Sequence, residues 1–104
     1  MQNFLAINKD YFGLGLKSID LHIIAQIEEF QRNNCDCCIT NEQLSIQFGE
    51  SLATVKRSIA KLEELNIITR STNFIHGHDR NNKQRILSVN NKSEWKLINF
   101  FDAN

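Results

Sequence analysis

The chain contains no proline, only four glycines, one tryptophan and one tyrosine, while asparagine and isoleucine each occur thirteen times. That bias fits an A+T-rich coding sequence better than a physical demand, and it says little about function. Also missing is any apolar run near the roughly 20 residues a membrane span needs, or a basic-then-apolar opening segment. No membrane partner is therefore expected, and the cytoplasm is the default location. No nucleophile elbow, phosphate-binding loop or metal-ligand helix motif occurs, so neither catalysis nor a cofactor is expected.

An excess of either charge is absent as well: twelve Lys and Arg balance twelve Asp and Glu. At first sight this argues against a nucleic-acid binder. The balance hides a division, however. Residues 1–50 hold Lys9, Lys17 and Arg32 against seven acids, a net of −4; residues 51–104 hold nine cations against five acids, a net of +4. Such asymmetry is compatible with one basic face on a neutral molecule. A neutral total still predicts modest affinity per protomer and leaves room for a dimer.

Three cysteines, Cys35, Cys37 and Cys38, fall together in "NNCDCCIT". An odd number with adjacent members does not read as a disulfide framework. Nor does C-x-C-C have the C-x₂₋₄-C spacing of common zinc modules, even if His76 or His78 of "FIHGHDR" stood as a distant fourth ligand. These residues read as reduced, partly buried thiols in a loop and strand start, and no metal is expected.

What is present describes one globular domain over residues 1–104, 41% apolar and 23% charged, large enough for a single core and without repeats or linkers. "NFLAI" (3–7) reads as an extended arm or edge strand, and "YFGLGLKS" as a glycine-punctuated turn ending in Ser18, a helix N-cap. Ile19, Ile23, Ile27 and Phe30, widened by Ile24, recur at helical spacing up to "RNNCD". "CCIT" reads as a short strand. Thr40 and Gln43 then form a T-x-x-Q capping box for a brief helix, with Leu44 and Phe48 inward and Gly49 as its stop. Ser51 caps a third helix, Leu52 to Leu65, whose inner face is Leu52, Val55, Ile59, Leu62 and Leu65 with Ser58 between them. Asn66 suits the left-handed stop. "IITRSTNFI" and "QRILSV" read as two strands around a polar loop, Gly77 to Lys83. The tail "NKSEWKLINFFDAN" (91–104) reads as a last short helix capped by Ser93, with Trp95, Ile98 and Phe101 on one side.

Residues 40–65 thus form a helix-turn-helix, with small Ser45 at the helix crossing, Gly49 at the reversal and Val55 anchoring the second helix. These intervals, and "TVKRSIAKLEELNII" after them, resemble the winged helix DNA-binding family, over roughly residues 19–90. The leader "NFLAI…LHIIAQIEEFQ…ITNEQLS" is similar to N-terminal domains of plasmid and phage replication initiators. The resemblance implies an α+β fold: three core helices plus a two- to three-stranded wing sheet over about 67–90. Two departures stand out: Asn66 replaces the usual glycine, and Glu50 stands where the family often has valine or isoleucine.

On the outer side of the third helix Ala53, Lys56, Arg57, Ala60 and Lys61 lie opposite the apolar stripe. Small residues among cations permit close approach to a groove, with cations reaching phosphate or guanine edges. Ser51 and Thr54, at the positive helix end, are suited to phosphate. The wing tip "HGHDRNNKQR" adds Arg80, Lys83 and Arg85, residue types favoured in a narrow minor groove. The expected partner is double-stranded DNA, bound by a homodimer or by several copies on repeated sites. Ile46, apolar on the outer side of the second helix, offers a dimer surface together with the aromatic tail (Trp95, Phe100, Phe101), or else that tail covers the first helix of its own chain. On size the expected role is a small accessory or regulatory factor of a mobile element, in transfer, replication, partition or transcription. The competing reading is a winged helix used only for protein contact, which absence of double-stranded DNA binding would favour.

Overall fold

The computed structural model describes residues 5–74 and 83–96, in the order α1 (Ser18–Arg32), α2 (Asn41–Phe48), α3 (Leu52–Glu64), β1 (Ile68–Phe74) and β2 (Lys83–Val89). Short 3₁₀ turns at Lys9–Tyr11 and Lys92–Glu94 flank this set. Three helices and one antiparallel hairpin make the α+β arrangement of a winged helix.

Helix α1 turns Ile19, Ile23, Ile24 and Ile27 into the core, as the isoleucine spacing requires. Its start differs from expectation. Lys17, not Ser18, is the N-cap, and the Asp20 carboxylate accepts the Lys17 N–H at 2.7 Å. A carboxylate satisfies an orphan N–H at a helix start better than a hydroxyl, and it also meets the positive helix end. Asn34, left-handed at φ 57°, follows the helix end.

Helices α2 and α3 follow local rules closely. Thr40 Oγ1 accepts the Gln43 N–H (3.1 Å) and Gln43 Oε1 accepts the Thr40 N–H (2.9 Å), closing the capping box. Gly49 adopts φ 67° to reverse the chain. Ser51 Oγ accepts the Thr54 N–H at 3.1 Å to start α3. At the far end Asn66 takes φ 58°, and the Ile67 N–H bonds back to the Leu62 carbonyl at 2.9 Å.

The hairpin pairs Ile68 with Val89 through to Phe74 with Lys83. The "CCIT" strand reduces to a single bridge, Cys37 to Leu87, whose N–H donates to the Cys37 carbonyl at 3.0 Å. Thr40 already commits the backbone to a helix cap, so the extended segment is too short to continue. Burial also lifts the Cys37 thiol above its ordinary pKa. One core joins α1 to Leu44 of α2, Val55, Ile59 and Leu62 of α3, and Ile67, Ile68 and Leu87 of the hairpin.

The flanks differ most from expectation. Leu5–Ile7 forms no strand, and Asn3 and Phe4 lie outside the described residues. The segment after β2 turns through 3₁₀ geometry with Asn91 as its cap, so Ser93 lies inside the turn rather than capping it. Trp95 stacks on Tyr11 with ring centroids 4.8 Å apart and donates Nε1–H to the Asn90 carbonyl at 3.1 Å. That contact packs this chain's own tryptophan against its core. Ile98, Phe100 and Phe101 lie outside the described residues. Among the described residues no helix is long and apolar enough to cross a membrane.

Candidate nucleic-acid interface

Because Val55, Ser58, Ile59 and Leu62 face the core, the 3.6-residue period turns Ala53, Lys56, Arg57 and Ala60 outward, and all four are exposed. At the N-terminal end three side chains are linked. Ser51 Oγ donates to Thr54 Oγ1 at 2.9 Å, and Arg57 Nη2 donates to the same oxygen at 3.2 Å. The guanidinium is thereby drawn toward the positive end of the helix beside two hydroxyls. Lys56 makes no ion pair among the described residues and points its ammonium outward. The two alanines leave the surface low between these groups.

Three other cations are engaged by partners within the chain. Lys61 Nζ lies 2.5 Å from an oxygen of Asp20, whose side chain is only 2% exposed. The same carboxylate takes the Ser58 hydroxyl and the Lys17 N–H. Lys61 thus balances a buried acid where α1 and α3 meet, instead of extending the outer face. Arg70 forms a two-pronged pair with Glu63, both bonds 2.9 Å, tying the root of β1 to the last turn of α3. Arg85 is half-buried and donates to Asn41 Oδ1 and to the Ile39 carbonyl, each at 2.7 Å. Burial, reinforced by nearby Arg70, lowers its pKa. Arg85 therefore belts β2 to the start of α2. Lys83 is exposed at the first position of β2, and Arg80, His76 and His78 lie outside the described residues.

Asp20 is the residue that sequence reasoning missed. An acid within the Ile19–Ile23–Ile24 stripe, one turn before the apolar positions, was the available signal: on that face a carboxylate must find donors. Cys35 is exposed, Cys37 buried and Cys38 in between, and among the described residues no group of three or more His, Cys, Asp or Glu could hold a metal ion.

No protein-family model matches the chain, and no curated protein matches its sequence. Among solved structures, the chain is similar to a possible transcriptional regulator from Methanosarcina mazei Go1. The two are 26% identical, with 86% of this chain and 68% of that one covered and a TM-score of 0.51. The likeness is one of overall arrangement.

Proposed function

We propose that this chain is a non-catalytic, site-specific binder of double-stranded DNA, acting as one winged helix unit across residues 1–104. The observation that carries the reading is the outer face of α3. Lys56, Arg57 and the Ser51–Thr54 hydroxyl pair surround Ala53 and Ala60 on a surface low enough to enter a groove. Exposed Lys83, with Arg80, supplies the wing contribution, and the likeness to the possible transcriptional regulator from Methanosarcina mazei Go1 supports the regulatory sense. Lys61 and Arg85, engaged internally, act by holding α3 and the wing in place rather than by touching phosphate.

Few cations then remain per protomer, which favours a homodimer or several copies on repeated sites. The finer role follows the resemblance to plasmid and phage proteins: an accessory or regulatory factor of a mobile element at an operator or origin, in the cytoplasm. Selection from a random duplex library tests the reading, run beside the Lys56→Ala/Arg57→Ala and Lys83→Ala variants. A motif recovered by the wild type and lost with the α3 pair is expected. Each lost phosphate contact should reduce the slope of log K against log salt by about one.

A second reading has one observation behind it. Ile46 is 83% exposed on α2, an apolar side chain without cover among the described residues. If no duplex is enriched at moderate salt, the fold serves as a protein-contact module through that face.

A further inference from the structure

We infer that Glu50 is a specificity determinant that reads a cytosine, an inference resting on the DNA-binding reading above. Glu50 stands immediately before the N-cap of α3 and is exposed, at the end of the face that carries Ala53, Lys56 and Arg57. Exposure alone would make it an ordinary wet side chain. Its backbone, however, is held on both sides by one residue of α2. The Ser45 hydroxyl donates to the Glu50 carbonyl at 2.5 Å, and the Glu50 N–H donates to the Ser45 carbonyl at 3.1 Å. Gly49 donates its own N–H to the same Ser45 carbonyl. The position from which the carboxylate projects is thus fixed before anything binds, and this pre-organisation lowers the entropy cost of a contact made there.

A carboxylate at that place repels phosphate. Among the described residues it makes no ion pair or side-chain hydrogen bond to blunt that repulsion. Sitting over the sugar-phosphate backbone it would weaken every complex alike. Over base edges the outcome depends on sequence. The cytosine N4 amino group has an acceptor on one side only, the paired guanine O6, with the non-polar C5–H on the other, so a carboxylate can approach it from that side. The adenine N6 amino group stands next to N7, and guanine presents only acceptors in the major groove. Glu50 therefore accepts a hydrogen bond from one cytosine, and its charge raises the cost of every site lacking it.

The test is library selection with wild type, Glu50→Ala and Glu50→Gln at one salt concentration, with urea midpoints measured to confirm equal folding. The wild type should recover a motif in which one column prefers cytosine about ten- to a hundredfold. Glu50→Ala should flatten that column alone and bind random duplex more tightly. Glu50→Gln should move the column toward adenine, because an amide both accepts from N6 and donates to N7. Ser45→Ala, which removes the hydroxyl bond to the Glu50 carbonyl while leaving the carboxylate, should weaken the preference at that same column. A wild-type motif that neither Glu50 variant changes, or changes only at a non-cytosine column, overturns the inference and leaves the DNA-binding reading intact. Absence of any wild-type motif overturns the reading on which it rests.

Discussion

Replacing Lys61 by methionine distinguishes a cation that grips phosphate from one that steadies the fold. In the structure its ammonium is 2.5 Å from Asp20, and among the described residues Asp20 has two other donors, the Ser58 hydroxyl and the Lys17 N–H. Methionine keeps the length of the stem and its packing, so the change is chiefly loss of charge. Removing one partner of a fully buried pair costs about 3–5 kcal/mol, because the other charge is left behind. The Lys61 side chain is 34% exposed, so solvent already screens part of the attraction. Two remaining donors soften the loss further, and the expected cost is about 1–3 kcal/mol. Urea unfolding at pH 7 measures it. Asp20→Asn in the same background should recover part of the loss, since a neutral amide needs no counter-charge; a double-mutant cycle isolates that coupling. On DNA, Lys61→Met should leave the salt slope unchanged. Stability within about 0.5 kcal/mol of wild type, together with a slope lower by about one, would instead make Lys61 a phosphate contact.

The other expectations are as direct. Arg85→Ala should cost about 1–3 kcal/mol from its two charged hydrogen bonds, one to Asn41 of α2 and one to the Ile39 carbonyl just before that helix, and a fall of one in salt slope would instead assign it to phosphate. Glu28 accepts the Tyr11 hydroxyl at 3.0 Å, and burial raises its pKa although that bond and Arg32 pull it down. The folded state then holds this proton more tightly than the unfolded chain, so Glu28's contribution is greatest in acid and is lost as pH rises through the raised value. Glu28→Gln keeps the acceptor for Tyr11 and should gain stability over wild type from about pH 4 to pH 7; a constant difference across that range would refute the cause. Gly49→Ala meets no atom within 4 Å of the new Cβ but sits at φ 67°, so it should cost only the left-handed strain, about 1 kcal/mol, with Gly49→Asn milder. A cost of several kcal/mol in a thermal melt would mean the turn tolerates no side chain.

Much of the scaffold was legible because its signals are local. Thr40 with Gln43, Ser51 with Thr54, Gly49 and Asn66 each satisfy backbone groups within a few residues, so spacing alone locates both ends of α2 and α3. The isoleucine and leucine stripes locate their inner faces for the same reason. Ser18 and Ser93 show the limit of that logic. Both are good capping types, yet Asp20 and Asn91 shift the starts by one or two residues. The "CCIT" segment has strand composition but finds only one partner, because pairing depends on how β2 runs past it.

What the sequence determined by itself is the frame: three helices, a hairpin, their order, and the outward set Ala53, Lys56, Arg57 and Ala60. Helical period and caps are properties of neighbours in the chain, and they act before any tertiary contact forms. What only the tertiary structure decided is which cations are spent within the molecule. Lys61, Arg70 and Arg85 look like Lys56 and Arg57 in the sequence. Their partners Asp20 and Asn41 lie about forty residues away, and Glu63 lies on another element. A charge is drawn to whatever opposite charge or carbonyl folding brings within a few ångströms, and no local pattern records that.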